Sequence, residues 1–290
     1  GKYKGGFIMI ITVANHKGGV AKTSMVLAVA EIVTYLQEND PEILPEEYRQ
    51  MPVLVIDIDP QANATEALGI DPAEVKISIQ QFLEMPESTL ELADIRYGIL
   101  KTKFDNIHLI PSYISIEPFV HKLAGEMDGA MRLSLVVKHL IDRYPLILID
   151  TPPNLGLFTQ NALVAADGVL VPISLSKHAI MGIQNLMSMI ATARRFRTSH
   201  LPVLIGYLIV GLDKRYNLHQ SLEVVVRQSF GSDVFDAVIP TQAKVAENIS
   251  KRRNILHSLT LQQKDEWLDF IGEFFERTEK LIPVSSARVS

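Results

Sequence analysis

No cysteine occurs in the 290 residues. That absence excludes disulfides, thiolate metal sites, cysteine-ligated iron–sulfur clusters and a cysteine nucleophile, and it suits a reducing compartment. Positive charge is not in excess: 28 Lys and Arg stand against 33 Asp and Glu, a formal net charge of −5, so any basic surface must be local. No uncharged apolar stretch is long enough to span a bilayer. The one signal-like run, FIMIITVA from Phe7 to Ala14, is short and is followed by NHKGG instead of a small-residue cleavage site. The chain also lacks a Gly/Ser/Pro-rich linker, a low-complexity tract and an internal repeat. One domain is therefore expected over residues 9–283, with 1–8 as an added or unstructured leader and 284–290 as a tail. The eight histidines show no metal-ligand spacing, and the chain reads as soluble and cytoplasmic.

What is present is a set of apolar runs rich in Val and Ile: Phe7 to Ala14, Pro52 to Asp59, Asn106 to Ser112, Pro145 to Asp150, Gly168 to Ser174 and Pro202 to Val210. Near-continuous runs of this kind suit strands covered on both faces. Helical patterns lie between them, at Ser24 to Gln37, Ala130 to Tyr144, Ala179 to Arg197, Leu218 to Phe230 and Leu261 to Leu281. The alternation predicts the α/β class, a doubly wound, mostly parallel central sheet flanked by helices. Gln37 to Gln50 and Glu84 to Asp105 interrupt it and read as acidic, solvated surface insertions. In a doubly wound sheet, ligands gather at the carboxyl ends of strands, which directs attention to NHKGGVAKTS, DIDPQANAT, DTPPNLG and GLDKRYN.

The first of these has a strand, a glycine turn and a helix starting near Lys22. It offers free backbone N–H groups and a positive helix end at one point, the arrangement that holds anions. Gly18 and Gly19 let the backbone approach phosphate oxygens; Lys22 can reach the outer phosphates and Thr23 can ligate magnesium. Read blandly, the same string is a strand-to-helix turn with a snorkelling lysine. Two strand ends favour the phosphate reading: LILIDTPP ends in Asp150, and LVIDIDPQANAT ends in Asp57 and Asp59, which period two places on one face. A strand-terminal aspartate is also a common helix cap. The generic loop is GxxxxGK[ST]; here His16 and Ala21 stand at its glycine positions, and Lys17 precedes the glycine pair.

With those residues in hand, the sequence resembles the deviant Walker A P-loop family, within it the ParA/Soj-type partition ATPases. NHKGGVAKTS, VIDIDPQANAT, LILIDTPPNLGLFTQNALVAAD, VPIS and VIPTQAKVAEN follow the family's order from Met9 to Leu256. The resemblance implies an ATP- and Mg2+-dependent hydrolase that forms a homodimer on ATP. It implies a cradle of Gly18, Gly19, Val20, Ala21, Lys22, Thr23 and Ser24, with Thr23 and Asp150 at the metal. Lys17 would be the lysine reaching into the partner protomer, Lys22 the lysine acting within its own, and Asp57 the aspartate orienting water. Asp59, Gln61 and Asn63 would shape a switch, with Pro152 and Pro153 in a second. Val210 to Asn217 and Ile239 to Asn248, Pro240 included, would frame the adenine.

The family also binds double-stranded DNA nonspecifically as the ATP dimer, and a ParB-like or adaptor protein stimulates hydrolysis. The expected location is cytoplasmic and nucleoid-associated, without a membrane. Arg194, Arg195 and Arg197, and Lys251, Arg252 and Arg253, are the candidate DNA contacts, with Lys214 and Arg215 behind them; each set also reads as a solvated face or a helix C-terminus. The alternative is a MinD-like, membrane-associated positioning ATPase. Against it, the C-terminal segment is acidic, and Trp267, Leu268, Ile271, Phe274 and Phe275 fit a core-docking helix better than a bilayer anchor.

Overall fold

The computed structural model describes residues 8–113, 123–196, 202–213, 215–241, 243–257 and 259–281. Alternation along the central strands sets the layering. In β1 (Met9–Val13), Met9, Ile11 and Val13 join one buried cluster while Ile10 joins another. β2 (Val53–Asp57) and β5 (Leu146–Asp150) divide the same way. Both faces are therefore covered, as parallel sheets require. The strands β3 (Leu100–Lys101), β4 (Ile107–Ile110), β6 (Gly168–Ser174), β7 (Val203–Leu212) and β8 (Val234–Pro240) complete an eight-stranded sheet of order β3-β4-β2-β5-β1-β6-β7-β8. Among the described residues only the β3–β4 pair is antiparallel.

Among the described residues the helices are α1 (Lys22–Asn39), α2 (Asn63–Ala67), α3 (Ile79–Glu84), α4 (Leu92–Tyr97), α5 (Arg132–Lys138), α6 (Leu157–Ala165), α7 (Lys177–Ala193), α8 (Asn217–Phe230), α9 (Ala243–Ser250) and α10 (Leu261–Leu281). α1 is apolar all round, and residues from Met25 to Ile32 are buried in sequence, as befits a helix inside a large core. α10 closes that core: Trp267, Phe270, Ile271 and Phe274 are each at most 1% exposed, so its apolar face is taken up by packing. No described helix is long and apolar enough to cross a membrane.

Both expected surface insertions depart from the solvated reading. The first makes two 3₁₀ turns that bury Leu44 and Tyr48, whose ring stacks on Phe275 of α10 at 5.4 Å. The second forms α4 and β3 and buries Leu90 and Ile95. In each, a few apolar residues among many carboxylates find the core. β8 was not foreseen, because Asp236 and Ala237 break its apolar run. This edge strand is held by side chains instead: Glu273 accepts from the Asp236 and Ala237 N–H groups, and Arg227 donates to the Phe235 and Asp236 carbonyls. Such capping blunts an open edge.

Candidate functional site

β1 lies at the centre of the sheet, and its neighbours place three strand ends side by side: Val13 is in register with Asp150, and Asp150 with Asp57. From Val13 the chain turns over Asn15, whose side-chain amide donates to the Pro172 carbonyl at 2.7 Å and whose Oδ1 accepts from Lys17 N at 3.0 Å. Gly19 has φ 72°, open to glycine without strain. Ala21 has φ 59° and ψ 26° and gives α1 no side-chain cap. The first-turn N–H groups of an 18-residue helix therefore face the turn without a side-chain acceptor, the usual anion site.

A cavity of about 640 Å³ opens there. Residues 18–24 form one wall, and Asp59, Asn63, Glu66, Ala67, Pro153, Ile249, Ser250 and Arg252 the rest. Lys22 is 7% exposed. Burial lowers its pKa, opposed by the Asp150 and Asp59 carboxylates, and its ammonium donates to the Lys17 carbonyl at 3.4 Å. Thr23 Oγ1 donates to Asp150 Oδ2 at 2.7 Å. Asp150 Oδ1 is buried with no hydrogen-bond partner, and burial, with Asp57 beside it, raises the carboxyl's pKa. A buried, unpartnered carboxylate oxygen next to a threonine hydroxyl and a lysine suits a hydrated cation. Among the described residues no three or more His, Cys, Asp or Glu gather tightly enough to chelate one unaided. Mg2+ commonly combines one or two protein ligands with substrate phosphates and water, and Thr23 with Asp150 offers two.

The two aspartates of DIDPQ separate. Asp57 is fully buried; its Oδ1 accepts from Asp59 N at 3.1 Å, and its Oδ2 from the Thr65 backbone N at 2.8 Å and hydroxyl at 2.7 Å. Burial raises its pKa to about 7. Asp57 is not among the residues that line the cavity, and its hydrogen bonds to Thr65 tie β2 to α2. Asp59 does line the cavity. Burial raises its pKa, countered by the Gln61 N–H and the Lys22 ammonium.

The AAA-domain family profile matches residues 8–203, and the sporulation initiation inhibitor protein Soj of Bacillus subtilis (strain 168) is 30% identical over 247 residues, 85% of this chain and 90% of Soj. The chain belongs to the ParA/Soj-type partition ATPases. Within that family, the chromosome-partitioning ATPase Soj of Thermus thermophilus is 32% identical over 237 residues, 82% of this chain and 83% of that one. The fold is also that of cobyrinic acid a,c-diamide synthase from Mycobacterium smegmatis, solved with an ATP analog and magnesium: TM-score 0.68, 24% identity, 85% of this chain and 98% of that one. The ParA/Soj-type chain is thus an ATP hydrolase of the P-loop class.

Gly18 to Ser24 line the cavity, and Thr23 meets Asp150. Lys17 stands apart: its ammonium donates to Ser176 Oγ at 2.9 Å, and it is not among the cavity-lining residues. Pro240, expected near the adenine, ends β8; from the segment that follows it, Ile249, Ser250 and Arg252 line the cavity. The described members of the two basic triplets do not converge. α7 leaves the carboxyl end of β6 and returns to the start of β7, so Arg194 and Arg195 lie at the amino edge of the sheet, where Arg194 Nε donates to the Pro202 carbonyl at 3.0 Å. Arg197 and Lys214 fall outside the described residues. Lys251 pairs with Glu247 at 2.6 Å at the end of α9, beside the cavity wall that Arg252 lines; Arg215 pairs with Asp213 at 2.6 Å. Sequence reasoning missed Glu66, Ala67 and Ile249, which carry no motif of their own.

Proposed function

We propose that this chain binds MgATP in the cavity above β1, β5 and β2, pairs with a second copy when ATP is bound, and hydrolyses it to position a DNA or protein cargo. The observation that carries the reading is the meeting of the Lys22 ammonium, the Thr23 hydroxyl and the unpartnered Asp150 oxygen at an uncapped helix start. Thr23 and Asp150 would hold the magnesium, which neutralises charge building on the phosphates when bound. Gly18 to Lys22 orient the phosphate chain, since phosphoryl transfer needs positioning and charge stabilisation above all. Asp59, with Lys22 next to it, is the carboxylate placed to accept a hydrogen bond from the attacking water. Lys17 points out of its own cradle toward Ser176, which supports its use by a partner protomer. The basic residues Arg194, Arg195, Lys251 and Arg253 support nonspecific contact with DNA phosphates, and hence a place on the nucleoid; a ParB-like or adaptor protein would trigger turnover.

The experiment is calorimetry and turnover with Mg2+ and ATP. Lys22→Ala is expected to lose most of its affinity, as charge-assisted contacts to phosphate are worth roughly 1.5–3 kcal/mol each. Asp59→Asn is expected to bind ATP and stop hydrolysing it. Unchanged affinity in Lys22→Ala, or normal turnover in Asp59→Asn, refutes the reading.

A further inference from the structure

Arg252 has φ 52°, a left-handed backbone that penalises any side chain and favours glycine. Its Nη2 pairs with Glu66 Oε1 at 3.1 Å, with the two side chains 44% and 60% exposed. A pair this open to water contributes little, so Glu66 holds the guanidinium only weakly. The left-handed turn closes α9: Arg252 N donates to the Ile249 carbonyl at 2.9 Å and Arg253 N to the Asn248 carbonyl at 2.7 Å, a helix end that glycine ordinarily fills. Arg252 extends from the turn after α9 and Glu66 from α2, both lining the cavity. Residues 18–23 and Asp150 are committed to the phosphate end, which leaves the wall of Ala67, Ile249, Ser250 and Arg252 for the rest of a nucleotide. A weakly hydrated, planar guanidinium is suited to lie on a base or bond a ribose hydroxyl.

Resting on the ATP reading above, we infer that Arg252 and Glu66 form a clasp across the open side of the cavity: with a nucleotide bound, the guanidinium leaves Glu66, closes over the nucleoside and slows its release. Arg252 is then a nucleoside-contacting residue, and Glu66 a positioning residue that competes for it.

The test is the release of radiolabelled ATP, chased with unlabelled ATP, together with competition by inorganic tripolyphosphate. Arg252→Gly removes the guanidinium and relieves the backbone, so its thermal midpoint is expected to be no lower than that of the parent. Its ATP release is expected to be about ten-fold faster, as when a single charge-assisted hydrogen bond is removed, with tripolyphosphate affinity unchanged. Glu66→Gln is expected to slow release. Unchanged ATP release in Arg252→Gly overturns the clasp, as does an equal loss of ATP and tripolyphosphate affinity. Lys22→Ala separates the two levels. If that variant keeps its ATP affinity, the nucleotide reading falls; if it loses ATP while Arg252→Gly behaves as the parent, only the clasp falls.

Discussion

Ala21 and Glu31 show how one side chain sets local energetics. Ala21 stands where the generic phosphate loop has glycine, and its φ of 59° is the conformation that glycine serves. A left-handed non-glycine residue costs about 1–2 kcal/mol, against about 0.5–1 kcal/mol for the extra chain entropy glycine loses on folding. Ala21→Gly is thus expected to stabilise the protein by about 0.5–1 kcal/mol in urea unfolding. Glu31 is a carboxylate in the middle of α1, 2% exposed, accepting the Ile255 N–H. Burial raises its pKa to about 8, partly offset by that N–H and by Lys103. The folded chain keeps the proton from its ordinary value of 4.5 to about 8, whereas the unfolded chain releases it, so stability falls as pH rises through that window. Asp57 and Asp150 act in the same direction, so the difference between variants is the measure. Glu31→Gln keeps an acceptor for Ile255 and is expected to be more stable than the parent at pH 8 by a few kcal/mol, because each pH unit separating the folded and unfolded pKa values is worth about 1.4 kcal/mol. The two should converge toward pH 4.5 in thermal unfolding. A buried glutamate inside an apolar helix was visible in the sequence, but its partner, 224 positions away, was not.

At the scale of elements, the P-loop and Asp150 were legible because a glycine turn between an apolar run and a helix has few other uses. Asp57 and Asp59 were not separable by the same logic. Period two puts both on one face, but β2 ends at Asp57, so the alternation stops before Asp59 and the turn re-aims it. The short helices α2, α3 and α4 span less than two turns each and leave too few residues to show a period. α2 and α3 are held by a polar chain: Asp57 accepts from the Thr65 hydroxyl, Thr65 Oγ1 accepts from Ser112 N at 3.0 Å, and Ser112 Oγ accepts from Gln80 Nε2 at 2.7 Å. This chain fixes α2, and with it Glu66, against the sheet. Thr65→Val removes a buried donor to Asp57 and leaves Ser112 N unsatisfied, and is expected to destabilise by about 1–3 kcal/mol. Faster proteolysis within residues 59–68 would accompany the fall in urea midpoint.

For the whole molecule, strand runs alternating with helical patterns foretold a doubly wound sheet, and the net charge a local basic surface, but not how that surface is shared out. The sequence makes two basic triplets look alike, while the chain's return path puts Arg194 and Arg195 at one end of the sheet and Lys251 and Arg253 at the other. Replacing each pair by glutamate separately is expected to expose unequal roles in DNA retention with ATP. Removing one phosphate-binding cation should flatten the salt slope by about 0.9. Equal, salt-independent retention in both variants would place the DNA surface elsewhere.

The burial of α1 against α10 has a consequence for synthesis. The helix that begins at Lys22 is roofed by Trp267, Phe270, Ile271 and Phe274, so every motif of the nucleotide loop leaves the ribosome long before the hydrophobic lid that shelters it. A nascent chain halted after Ser250 would display all the loop residues yet lack the α10 side chains that pack in the same core as α1.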